Sequence, residues 1–249
     1  MKDEHARGLH HSYAEIKDDE IPEQNQLTQL LMQVMDVMPP YIRINRLKRD
    51  IPDSYSLGGI VEKHGRQFIE KCMEKNGMRC KCIRCNEIKK KKINVDETFI
   101  RVYKYHASGG DEYFIYYTDK EEHVIGFIRL RLDENAGKFA RFHKDSDDIS
   151  RQTPVFPELF GCAMIRELHV YGEAVKVDSM NKNNTSSQQH LGFGTRLVYV
   201  AMLIAKSMGY TKLSVIPGEG VKEYYHKKFG FNEEGHYMTL NLDDIDTYK

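Results

Sequence analysis

With 249 residues, the chain is long enough for one large domain, or for one domain and a substantial appendage. Its 37 basic and 37 acidic side chains cancel, so total charge points to no polyanionic partner. No run approaches the roughly 18 apolar residues that span a bilayer, and Met1-Lys2-Asp3-Glu4-His5 is unlike a secretory signal. Five cysteines, with Cys80, Cys82 and Cys85 bunched, suit a reducing compartment and a metal better than a disulfide framework. An intracellular protein, cytoplasmic or nuclear, is expected.

Residues 1–25 are polar, rich in charge and histidine, and without a period, which predicts a mobile arm. From Gln26 to Met38 the apolar residues Leu27, Leu30, Leu31, Val34, Met35 and Met38 form a helical stripe, stopped by Pro39-Pro40. Tyr41 to Leu47 alternates like a strand. Glu62 to Asn76 reads as a second helix, ended by Gly77. Between Tyr41 and Lys92 there are about fifteen Lys/Arg against about six Asp/Glu, a basic bias that includes Lys89-Lys90-Lys91-Lys92.

Near residue 94 the texture changes to strands, which sets the expected division into a 26–94 linker region and a 95–249 domain. Thr98 to Tyr105, Asp111 to Tyr117, His123 to Leu132 and Ala163 to Tyr171 read as strands, with a turn at Ser108-Gly109-Gly110. A polar run, Asn181 to Ser187, leads into Gln189-His190-Leu191-Gly192-Phe193-Gly194. There an apolar helix begins, with Leu197, Ala201, Ile204 and Met208 on one face and Gly209 at its end. Tyr210 to Val215 reads as a strand, Val221 to Lys228 as a short helix, and Gly235 to Leu242 as a last strand.

Gln-x-x-Gly-x-Gly opening a helix has a physical use. Glycines let the backbone approach a phosphate, and unpaired N–H groups with the helix dipole favour its charge. The bland alternative is a helix start that needed turn residues. Cys80-x-Cys82-x-x-Cys85 fits three corners of a tetrahedral zinc site; an iron–sulfur cluster or three free thiols are the alternatives. His64 is the first candidate for a fourth ligand and Cys72 the second.

The element order, together with Ile165-Arg166-Glu167-Leu168-His169-Val170-Tyr171-Gly172, the Gln189–Gly194 loop and Pro217-Gly218-Glu219-Gly220-Val221-Lys222-Glu223-Tyr224-Tyr225, resembles the catalytic subunit of Elongator. The likeness extends upstream through Pro39-Pro40, Arg43, Arg46 and Arg49-Asp50-Ile51-Pro52, covering roughly residues 26–240. It implies an α+β Gcn5-related N-acetyltransferase (GNAT) fold: a mixed central sheet flanked by helices, preceded by a small helical, zinc-bearing linker. That family joins a radical S-adenosylmethionine domain to an acetyltransferase domain and modifies the wobble uridine of tRNA. The radical domain's cysteine triplet is absent from this sequence, so the resemblance supports the acetyl-CoA half alone, and no iron–sulfur cluster is expected.

The resemblance implies acetyl-CoA as co-substrate, held by Gln189, Leu191, Gly192, Phe193, Gly194 and Thr195, and it puts both Tyr224 and Tyr225 in the site. A tyrosine suits protonation of the departing thiolate. Neighbours on a helix point about 100° apart, so one of the two is expected to face the sulfur and the other to pack in the core. Glu167 is nominated as general base; the rival reading is a surface carboxylate paired with Arg166 or Arg129. His169 reads as a satisfied, partly buried histidine, and His226 stands where the family usually has arginine. The resemblance also implies zinc at the cysteines, pinning a basic surface with Arg43, Arg46, Lys48 and Arg49 that can bind tRNA. Elongator-like protein partners follow from it too. The alternative functions are a non-catalytic tRNA- and acetyl-CoA-binding module, or a protein lysine (histone) acetyltransferase.

Overall fold

The computed structural model describes residues 26–47, 65–89, 91, 93–138, 140–141, 153–171 and 192–243. The expected N-terminal arm, His64, Gln189 and Leu191 lie outside the described residues. The chain divides into two compact units, Met1–Glu87 and Ile88–Lys249. Ile88 goes with the second: its N–H donates to the Val124 carbonyl (3.0 Å), and its side chain is buried with Ile125 and Phe193.

In the first unit, helix α1 (Gln26–Asp36) and helix α2 (Gly65–Lys75) share an apolar cluster of Met32, Met35, Ile69, Cys72 and Met73, joined by Cys80 and Cys82. The inward side of α1 differs from the expected stripe. Thr28, Met32 and Met35 are buried, whereas Leu30 and Val34 are exposed. The strand expected at Tyr41 to Leu47 does not form. Its carbonyls take other donors: the Ile83 N–H at Ile42, Arg66 at Ile44 and Arg84 at Asn45. Arginine side chains have replaced a neighbouring strand, so alternation alone was insufficient. A one-turn helix, α3 (Ile83–Asn86), completes the unit.

The second unit is built on β1 (Phe99–Ala107), β2 (Gly110–Thr118), β3 (Val124–Leu132), the two-residue strands β4 (Ala140–Arg141) and β5 (Thr153–Pro154), and β6 (Cys162–Val170). Helix α4 (Phe193–Ser207), β7 (Lys212–Val215), helix α5 (Lys222–Phe229), β8 (Asn232–Glu234) and β9 (Tyr237–Asn241) follow. Seven strands form one sheet in the order β1-β2-β3-β6-β7-β9-β8; β6 and β7 run parallel and every other neighbouring pair antiparallel. The class is α+β with a mixed sheet. Four strands, a helix, a parallel strand, a helix and a closing strand reproduce the order implied by the resemblance. One strand was not foreseen: the stretch expected as a single final strand is the second arm of a hairpin, with Gly235 at the turn (φ +58°) and β8 as the first arm.

The core lies on one face of the sheet. Tyr113 and Ile115 of β2, Ile128, Leu130 and Leu132 of β3, and Ala163 and Ile165 of β6 pack with Leu197, Val198, Ala201 and Ala205 of α4. Tyr225 and Phe229 of α5 join the same cluster. Both helices therefore cover the face that strand alternation makes apolar.

Two irregularities position the site. β6 pairs with β7 only from Cys162↔Lys212 to Ile165↔Val215, so residues 166–170 run on without a β7 partner. The register of β3 against β6 also slips: Arg129 faces Glu167, whereas Leu130 faces Ile165, leaving Arg166 as an extra residue. This is a β-bulge, which re-aims side chains and bends the strand that carries it.

Candidate functional site

The first turn of α4 supplies the anion-binding end. Gly192 caps it with φ +76°, a conformation that disfavours an L side chain, and its carbonyl accepts from Arg196 N–H (3.0 Å). The first turn carries no acid, and its leading N–H groups have no intrahelical acceptor, so the helix end favours an anion. Phe193 is fully buried against Tyr117, their ring centroids 5.0 Å apart, which anchors the helix start on the sheet. A Cβ on Gly194 would sit 3.5 Å from Val170 Cγ2 and 3.6 Å from the Tyr224 hydroxyl. The end of unpaired β6, the helix start and the tyrosine thus meet at one glycine.

The geometry separates the adjacent tyrosines. Tyr224 places its hydroxyl 3.4 Å from Thr195 Oγ1 on the first turn of α4. Tyr225 is 5% exposed, inside the core with Phe229 and Phe231. Burial raises both phenols above the usual tyrosine value; Tyr225 reaches about 12, with the neighbouring Tyr224 as a lesser cause, and at Tyr224 the Thr195 hydrogen bond works the other way. A phenol that keeps its proton is suited to giving one to a thiolate.

On the face away from the helices the bulge sets Arg166 and Glu167 side by side. Glu167 Oε2 accepts from Arg129 Nε at 2.9 Å, and the carboxylate is half-exposed. The Arg129 guanidinium lies 5.1 Å above Phe114 and 5.4 Å above Phe127, so this pair rests on an aromatic floor. Arg166 donates from NH1 to Oε1 of Glu112 at 2.6 Å. His169 is exposed rather than partly buried, stacked on Phe127 with ring centroids 5.9 Å apart. The His226 Nδ1–H donates to the Phe231 carbonyl (2.8 Å), a structural contact at the end of α5.

In the other unit the Cys80, Cys82 and Cys85 sulfurs all lie within 4.8 Å of one another. Asn86, buried, holds their loop by donating to the carbonyls of Cys80 (2.8 Å) and Cys82 (2.9 Å), and it accepts from Arg79 (2.9 Å). Hydrogen bonds from Cys80 and then Cys85 push the Cys82 thiol far down, while contacts within the trio push Cys80 and Cys85 up. Three sulfurs this close offer the soft donors that zinc takes at three corners of a tetrahedron, so the donor set fits zinc. Cys72 is buried in the same cluster without joining the trio. Glu70 Oε1 and Arg66 NH1 each lie 3.3 Å from the Cys85 sulfur. Of the basic surface, Arg43 is paired with Glu87 at 2.9 Å, and Lys48 and Arg49 lie outside the described residues.

Sequence reading missed Glu112 and Asn86. Glu112 had one signal: an acid inside a strand of aromatic residues, where burial needs a paired cation. It also missed the group of Asp119, Glu121 and His123 at the β2–β3 turn, where the Lys91 ammonium lies 3.0 Å from Glu121 and 3.3 Å from His123 Nε2.

No family model matches the chain. It is 34% identical over 223 residues to the tRNA uridine(34) acetyltransferase of Methanocaldococcus jannaschii, covering 86% of this chain and 38% of that protein. Elongator complex protein 3 of Drosophila melanogaster is 33% identical, covering 88% of this chain and 37% of that protein. The solved structure of archaeal Methanocaldococcus infernus Elp3 with residues 1–46 deleted superposes with a TM-score of 0.66 and 29% identity, over 87% of this chain and 48% of that one. The chain spans less than half the length of each of these relatives. Along most of its own length, the chain is a homologue of the tRNA uridine(34) acetyltransferases and of Elongator complex protein 3.

Proposed function

We propose that this chain is an acetyl-CoA-dependent acyltransferase acting in the modification of a tRNA wobble uridine. The observation that carries the reading is the meeting of the α4 N-terminus, the unpaired end of β6 and the Tyr224 hydroxyl at Gly194. The amides from Gly192 to Thr195, with Gln189 and Leu191 preceding them, hold the CoA pyrophosphate. The acyl-pantetheine arm lies along residues 167–170 of β6, whose backbone groups on the side away from β3 take its amides. Attack of the acceptor on the thioester carbonyl forms the new acyl bond and breaks the C–S bond; Tyr224 gives its proton to the leaving sulfur. Glu167, oriented by Arg129, takes the acceptor's proton. Tyr225 supports the fold under Tyr224.

Zinc bound by Cys80, Cys82 and Cys85 fixes the loop of the first unit as a structural ion, with His64 or Glu70 as fourth ligand. Proteins of the Elongator type, acting inside the cell, are the partners this reading implies. Among the described residues no helix is long and apolar enough to cross a membrane.

Thiol release from acetyl-CoA, followed with and without total tRNA, tests the proposal. Release stimulated by tRNA and lost in Tyr224→Phe supports it. Acetyl-CoA binding without release, in the presence of tRNA, replaces it with a binding module. Turnover on lysine peptides but not on tRNA replaces it with protein acetylation.

A further inference from the structure

Glu112 is 1% exposed, yet it carries a carboxylate inside β2, two residues from its start. Its Oε1 accepts two guanidinium bonds, from Arg131 NH1 at 3.0 Å and Arg166 NH1 at 2.6 Å, while its buried Oε2 has no hydrogen-bond partner. Leaving a buried carboxylate oxygen unpaired is costly, so the arrangement needs a reason.

The two arginines differ in what else they do. Arg131 is committed to the Ala107 carbonyl (2.9 Å), the Ser108 carbonyl (2.8 Å) and Asp133 (2.7 Å). Arg166 has one partner among the described residues, Glu112, and its side chain is 50% exposed. A guanidinium has five N–H donors, and a carboxylate holding one of them leaves an edge able to take two oxygens of an anion at once. The bulge keeps Arg166 and Glu167 side by side. In a regular β6, with Ile165 inward, residue 167 would turn to the apolar side under α4, whereas the extra residue leaves both on the outer face. Arg166 also stands directly after Ile165, the last β6 residue paired with β7. Tyr224 and the α4 helix lie on the apolar side of the sheet and Arg166 on the other, so a cofactor and an acceptor can approach from opposite sides.

We propose that Arg166 recognises a backbone phosphate of the RNA acceptor, and that Glu112 is the positioning residue that holds its guanidinium at the bulge. This rests on the acyltransferase reading above and assigns the acceptor side of that site. The occupant is a phosphodiester, because a planar guanidinium held along one edge matches two phosphate oxygens, whereas a lysine ammonium acceptor would be repelled.

The test uses the full chain, with tRNA affinity measured by fluorescence anisotropy over a sodium chloride series and acetyl-CoA affinity by calorimetry. Arg166→Gln is expected to weaken tRNA binding about tenfold and to lower the slope of log K against log salt by about one, the loss of one phosphate contact. Arg166→Lys keeps the slope, since the charge remains, and loses part of the affinity. Glu112→Gln, similar in shape but uncharged, weakens tRNA binding while the slope stays near wild type. Acetyl-CoA affinity is unchanged in all three. An unaltered slope and affinity in Arg166→Gln overturns the proposal, and so does an equal loss of acetyl-CoA affinity in that variant. If Glu112→Gln fails to fold, the two Arg166 variants decide the matter. Wild-type protein that binds acetyl-CoA but no tRNA overturns this inference and the RNA half of the wider reading; protein that binds neither overturns the acyltransferase reading itself.

Discussion

The Tyr224 hydroxyl lies 3.4 Å from the Thr195 hydroxyl, a polar contact that ties the short helix α5 to the first turn of α4. Tyr225, its neighbour in the chain, has its ring centroid 5.5 Å from that of Tyr224 and turns into the core. Tyr224→Phe is therefore expected to lower acyl transfer by about a hundredfold, the low end of what a general acid supplies, with acetyl-CoA affinity little changed. Tyr225→Phe should retain most of the turnover and lose thermal stability instead. Thiol-release kinetics beside melting curves separate the two.

The same phenol sets an alkaline limit. Burial raises the Tyr224 pKa above the usual value of about 10, so its proton stays in place through neutral pH. Turnover should fall only above pH 10 if this group is the acid, and a decline beginning near pH 8 would assign the role elsewhere.

Gly192 and Gly194 fail for different reasons when replaced. Gly192→Val must hold a β-branched side chain at φ +76°, whereas Gly194→Leu pushes beyond an ordinary Cβ contact into Val170 and the Tyr224 hydroxyl. Each should weaken acetyl-CoA binding by tenfold or more, on the order of 1.4 kcal/mol. Gly194→Ala, whose Cβ finds ordinary contacts, should come close to wild type. Calorimetric titration with acetyl-CoA reads all three.

Purified protein should carry about one zinc per chain, measured by elemental analysis. Cys82→Ser removes one of the three clustered sulfurs, and is expected to abolish metal retention and lower the melting temperature. Acetyl-CoA affinity, which belongs to the other unit, should stay the same.

Glu158, just before β6, holds the hairpin turn: its Oε1 accepts the His236 N–H at 2.9 Å. That bond holds the carboxyl below its usual pKa. Because the folded-state value lies below the unfolded one, the contribution to stability is present above roughly pH 4.3 and is lost as pH falls through the depressed folded value. Melting temperature measured from pH 7 down to pH 3 should drop less steeply in Glu158→Gln than in wild type.

The strands and helices that bury one face were legible because their apolar residues repeat with the right period: Ile128, Leu130 and Leu132 in β3, and Leu197 and Ala201 in α4. The stretch at Tyr41 to Leu47 had that pattern and still formed no strand, because its carbonyls were taken by Ile83 N–H, Arg66 and Arg84, partners distant in sequence. The glycine loop marked the start of α4, yet nothing local could choose between Tyr224 and Tyr225, since that depends on how α5 lies against α4. Glu112 showed only as an acid among aromatic residues; its meaning comes from arginines on two other strands. The bulge at Arg166 also had no signal of its own, because an extra residue shows only when the partner strand is aligned beside it.

That extra residue has a consequence for how the chain can vary. Ile165 and Leu168 face inward on either side of the bulge, and between them Arg166 has no opposite number on β3. Excising it would close the bulge into a regular ladder and leave Ile165, Leu168 and their partners on the faces they already occupy. The strand can thus lose its outward arginine without renumbering the core, so at this position acceptor preference can change by deletion while the architecture stays as it is.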